Sequence, residues 1–162
     1  MDLQALSDKL SPQRIKDGPK ARRPAAMVRF IIHTRVGPKE LLGLRKANCC
    51  VIANAKETHV ALQVESCRNK RLRTVYCPYS LFMYIKASFS GHPSLLFSHR
   101  SKFSKIGYAG FAVRIIQEIV FKVTRAYGET LTVERIRGEA IKALLNDITM
   151  EPQEIMAYYD IS

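Results

Sequence analysis

Residues 58–76 read THVALQVESCRNKRLRTVY. Thr58, Val60, Leu62 and Val64 alternate with His59, Ala61, Gln63 and Glu65, the two-residue period of a strand that is buried on one face and wet on the other. Arg68, Asn69 and Lys70 supply a polar turn. Arg71 and Arg73 then alternate with Leu72, Thr74 and Tyr76 as a partner strand. Two such runs joined by so short a connection pair antiparallel, because a parallel return needs a long crossover.

Cys49 to Ala53 is a further strand candidate upstream. So is Val28 to Val36, where Val28, Phe30, Ile32, Thr34 and Val36 share one face and Gly37-Pro38 ends the run. The expected sheet has one apolar face and one face carrying Arg29, Arg35, Arg71 and Arg73. Downstream the period changes. Ala112, Ile115, Ile116, Ile119, Val120 and Val123 form an i, i+3, i+4, i+7 stripe that stops at Gly128. Thr132 then reads as the N-cap of a second helix, with Glu134 in its first turn, Leu131 poised to pack on Ile136, and a stripe running through Ala140, Ile141, Leu144, Leu145 and Ile148. Pro152 suggests a short terminal helix carrying Ile155, Met156 and Tyr159. The fold class that follows is α+β: an antiparallel sheet in the N-terminal two-thirds, packed by two to three C-terminal helices.

The start of the chain reads differently. Leu3, Leu6 and Leu10 have helical spacing, but Ser11 to Ala25 is polar and holds Pro12, Gly18, Pro19 and Pro24 among Arg14, Lys16, Lys20, Arg22 and Arg23. Such a composition predicts a mobile basic arm over residues 1–25. Residues 26–162 then form one α+β domain, mainly strands and loops to residue 105 and mainly helices from 106.

Charge points to the partner. The 162 residues carry 26 Lys+Arg against 14 Asp+Glu, a formal charge of +12. The excess is +7 over residues 1–50 and +7 over residues 51–105, whereas residues 106–162 are at −2. A basic two-thirds suits a polyanion, and an acidic helical end suits packing, a protein partner or self-association. Tyr76, Tyr79, Phe82, Tyr84, Phe89, Phe97 and Phe103 lie near Arg100, Lys102 and Lys105, the mixture of rings and cations that single-stranded nucleic acid uses, although most of these rings suit a core equally well. The expected polyanion-binding residues are Arg14, Lys16, Lys20, Arg22, Arg23, Arg29, Arg35, Arg68, Lys70, Arg71, Arg73, Arg100, Lys102, Phe103 and Lys105.

Ile106-Gly107-Tyr108-Ala109-Gly110-Phe111-Ala112-Val113 is similar to the I-G-x-x-G-x-x-[I/L/V] signature of KH RNA-binding modules, and Thr130 to Ile148 resembles their final strand and helix. It departs from them in two ways: Tyr108 and Ala109 put no basic residue in the loop, and the following stripe continues as one long helix. Gly107 and Gly110 are equally read as shaping the turn into that helix.

Other chemistry is excluded by subtraction. No G-x-S-x-G, H-E-x-x-H, Walker or dinucleotide motif occurs, and the first 105 residues hold only six carboxylates. A thiol nucleophile, Cys50 or Cys67 with His33 or His59, is the one enzymatic arrangement that spacing leaves open. Cys67, Cys77, His92 and His99 are too far apart for a zinc site, and no metal or cofactor is expected. No signal peptide or membrane-length apolar run is present, so an intracellular protein with reduced thiols is expected. The function that follows is a non-enzymatic, RNA-favouring structural protein of a ribonucleoprotein. The alternative is a virion-associated assembly protein of the viral matrix kind that meets an anionic membrane or a nucleocapsid and self-associates.

Overall fold

The computed structural model describes residues 3–16, 18–53, 58–66, 70–89, 94–100, 108–109 and 113–145. Six helices and two small sheets occur in the order α1 (Leu3–Lys9), α2 (Pro19–Thr34), α3 (Pro38–Leu42), β1 (Cys49–Ala53), β2 (Thr58–Glu65), β3 (Leu72–Pro78), α4 (Tyr79–Ser88), β4 (His99–Arg100), β5 (Tyr108–Ala109), α5 (Val113–Arg125) and α6 (Val133–Leu145). The class is α+β, as the sequence implies.

The hairpin that decides the class is present. Strands β1, β2 and β3 form an antiparallel sheet in sequence order. Its register sets Val60 against Cys77 and Leu62 against Val75, and all four side chains are buried on one face. The other face is wet, with Gln63 donating to Thr74 Oγ1 at 3.1 Å and Leu72 and Tyr76 exposed. Pairs directly opposite share a face, so one pattern serves both strands.

The strand expected at Val28 to Val36 is instead the second half of α2. Alternation alone misleads here because the helix is apolar nearly all round: Ala25, Ala26, Met27, Val28, Phe30, Ile31 and Ile32 are all buried. A helix sheathed by protein shows no polar stripe beyond a narrow one, here Arg29 and His33 four residues apart. α2 packs against α1, α4, α5, α6 and β3, which makes it the centre of the molecule.

The expected mobile arm is likewise corrected. Pro19 occupies the first turn of α2, where its missing N–H costs nothing. Leu6, Leu10 and Ile15 enter the core, and Arg22 Nε donates to the Ile15 carbonyl at 3.0 Å. Three apolar anchors and the burial of α2 outweigh the polar composition between them.

In the aromatic segment Phe82, Phe89 and Phe97 are core and Tyr84 packs against it, Tyr76 and Tyr79 are exposed, and the segment includes a helix. Phe82 lies on α4, and Phe97 meets Phe30 edge-on at 5.1 Å and Phe89 at 5.0 Å between ring centres. α5 ends at a left-handed Gly128 (φ 80°), with Glu129 N–H returning to the Thr124 carbonyl at 3.0 Å. Thr132 caps α6 by accepting from Arg135 N–H at 3.1 Å. The expected terminal helix from Pro152 lies outside the described residues. So does most of the KH-like stretch, of which Tyr108 and Ala109 form β5 and Val113 opens α5.

Candidate nucleic-acid interface

Three polar constellations stand out from the apolar core. The first forms where α2 turns into α3. Gly37 N–H donates to Glu40 Oε1 at 2.8 Å, the main-chain half of a capping box. Both Glu40 oxygens also accept from the Arg73 guanidinium, with Nη2 to Oε1 at 2.9 Å, and each side chain is only 7% exposed. Arg137 of α6 closes on the same turn, its Nη1 lying 3.3 Å from where a Cβ on Gly37 would sit. Beside this cluster opens a cleft of about 190 Å³ with Lys39, Gln63, Glu65, Ser66 and Lys70 in its walls. Lys39 and Lys70 are its exposed cations, while the Glu40 carboxylate is committed to Arg73.

The second is buried between α1 and α2. Ser7, fully buried, shares a hydrogen bond with His33 Nε2 at 3.2 Å and accepts from Arg29 Nε at 3.4 Å. Burial, together with the Arg29 and Arg35 charges, lowers the His33 pKa from 6.5 to about 4, so the ring is neutral at neutral pH. Burial likewise lowers the Arg29 pKa, against the opposing pull of Cys77 and Asp8. A serine with no solvent access cannot attack a substrate, and the pair is a clasp between two helices. His33 is thereby spent as a base for any thiol. Cys49 and Cys77 are pushed up to about 11 and about 12 by burial, away from nucleophilic thiolates.

The third is the corner joining α1 to α2. Arg14, Lys16, Lys20 and Arg23 are exposed there, and Arg22 is half-buried.

Set against expectation, the basic residues scatter. Arg71 is exposed ahead of β3, but Arg73 faces the core and pairs with Glu40, because the register places it opposite Val64 at the end of the buried face. The expected sheet face of Arg29, Arg35, Arg71 and Arg73 does not exist: Arg29 belongs to α2, and Arg35 is the half-buried left-handed residue (φ 59°) that ends it. Lys70 borders the cleft. Arg100 contributes to the β4–β5 ladder through its backbone. Arg68, Lys102, Phe103 and Lys105 lie outside the described residues. Glu40, Lys39 and Arg137 were missed. The signal for Arg137 was its interruption of an otherwise apolar helical stripe.

Among the described residues no three His, Cys, Asp or Glu side chains converge as a metal site, and no helix is long and apolar enough to cross a membrane.

No family model matches the chain, and no curated protein does. Solved structures do. The chain is similar to the XerH site-specific recombinase bound to difH substrate in a pre-cleavage complex, with a TM-score of 0.70 and 15% identity over 96% of this chain and 45% of that one. The same recombinase with palindromic difH in a post-cleavage complex gives 0.71 and 15%, covering 96% and 44%. XerA recombinase gives 0.61 and 13%, covering 96% and 52%. The chain thus spans about half the length of these proteins. This likeness overturns the reading as a non-enzymatic RNA-binding structural protein, and its viral matrix alternative with it: the solved structures that the chain is similar to are recombinases, XerH among them bound to its difH substrate. Missing sequence motifs misled because they cover only a few well-marked chemistries. The chain shares its fold with site-specific recombinases.

Proposed function

We propose that the chain is a duplex-DNA-binding domain of recombinase architecture. The observation that carries this reading is the alignment of nearly the whole chain, at a TM-score of 0.70, with a recombinase bound to its difH substrate. The +12 charge supports it independently, since each Lys or Arg set near a phosphate releases condensed counterions. Lys39 and Lys70, exposed in the walls of the cleft, are among the cations available for such contacts. The test is a titration across salt with duplex DNA, single-stranded RNA and anionic vesicles in parallel. The reading expects duplex DNA to bind tightest with a steep log–log salt slope. Preference for RNA or vesicles defeats it.

A further inference from the structure

Of the 15 residues from Lys9 to Arg23, six are basic and one, Asp17, is acidic. Residues 68–73 hold a second dense run, four basic side chains in six, but its Arg73 is committed to Glu40. A solvated tail could carry the run from Lys9 to Arg23 without consequence, but the described residues of this segment are folded. Leu10 near its start and Ile15 near its middle are buried, at 1% and 6% exposure. Arg14 N–H donates to the Ser11 carbonyl at 3.0 Å, and Arg22, the one half-buried guanidinium, holds the Ile15 carbonyl at 3.0 Å. The turn is therefore tied to the start of α2. Lys20 and Arg23, three residues apart, lie on one side of that helix. Arg14 and Lys16 project from the loop before it, and all four side chains are exposed.

Two physical consequences follow. First, the charges are held in place, so binding a polyanion does not require ordering a chain segment, which would cost roughly 1–2 kcal/mol per residue fixed. Second, the corner has turned its apolar side chains inward. A basic patch that anchors to lipid needs an apolar element beside it to enter the bilayer, and here Leu10 and Ile15 serve the core. A stiff, highly charged backbone that asks only for cations is the better match, and duplex DNA presents one phosphate charge per roughly 1.7 Å of axis.

We infer that the α1–α2 corner, through Arg14, Lys16, Lys20 and Arg23, is the main phosphate-gripping surface of this domain. The inference rests on the proposed duplex-DNA binding and narrows it to one part of the molecule. The experiment compares three proteins on a duplex across salt: the unaltered chain, R14Q/K16Q/K20Q/R23Q, and K122Q/R125Q/R135Q/K142Q, which removes the same charge from α5 and α6. Each phosphate contact contributes about 0.9 to the slope of log K on log salt, so the corner variant, four cations short, should lose up to about 3.6 from it and the α5/α6 variant much less. A charge-keeping variant, R14K/R23K, should retain the slope, which separates lost charge from lost folding. An equal loss in both four-fold variants, or no loss in the corner variant, overturns the inference while leaving duplex binding standing. If the unaltered chain ignores duplex DNA, both readings fall. If it binds anionic vesicles through the corner instead, the surface is a lipid-facing one and the inference is wrong.

Discussion

Glu40 and Arg73, separated by 33 positions, meet as a two-pronged ion pair in which both side chains are almost out of water. The pair joins the α2–α3 turn to β3, and Glu40 also takes the Gly37 amide proton. Removing one member strands the other: Glu40→Ala should cost about 3–5 kcal/mol in urea unfolding. Replacing both members together, Glu40→Leu with Arg73→Met, should cost less than the sum of the two single changes. A double-mutant cycle that proves additive would show the pair to be uncoupled.

The turn itself has no spare room. An alanine at Gly37 would bring its Cβ to 3.3 Å from Arg137 Nη1, so the guanidinium must shift by a few tenths of an ångström. Gly37→Ala should destabilise by about 1–2 kcal/mol, and Arg137→Gln should remove much of that penalty. Penalties that simply add would place the strain elsewhere.

Protonation of His33 is opposed by folding. Its pKa is about 4 in the folded protein against 6.5 ordinarily, lowered first by burial and then by Arg29, Arg35 and His59, with Asp8 opposing them. Between those values the unfolded chain binds more protons, so stability falls as the pH drops from about 6.5 to about 4 and gains nothing further from this group below that. His33→Gln should flatten that part of the stability–pH curve. An NMR titration of the ring that finds an ordinary pKa would refute the account.

Thiol reactivity should rank with exposure. Of the three described thiols, Cys50 is exposed, Cys49 is half-buried with its pKa pushed up to about 11, and Cys77 is buried with its pKa pushed up to about 12. At pH 8 iodoacetamide should label Cys50 first and Cys77 only on unfolding, as peptide mass mapping would read out. Early labelling of Cys77 would place it at the surface.

The legible parts of this fold are those where one side of an element is wet. The β2–β3 hairpin and α5 show clean periods because Gln63, Thr74, Glu118 and Lys122 face solvent opposite buried partners. α2 hid its helical period by being buried all round, and Ala25 to Ile32 contain no polar residue except Arg29. The basic face proposed for the sheet failed at Arg73, because periodicity cannot say that Glu40 waits on the other side. Arg14, Lys16, Lys20 and Arg23 were legible as a charge cluster. That they stand on a folded corner depends on Ile15 reaching the core, a contact that composition does not encode.

The central position of α2 bears on how the chain is made. Eight of its ten residues from Ala25 to Thr34 are buried, against helices and a strand that come later in the sequence, β3, α4, α5 and α6. A helix so apolar has little to hold it up alone in water, and its partners lie up to about a hundred residues downstream. During synthesis α2 therefore emerges before β3, α4, α5 and α6 can cover it. It exposes a sticky segment flanked by cations, and the domain can close only after α5 and α6 have left the ribosome.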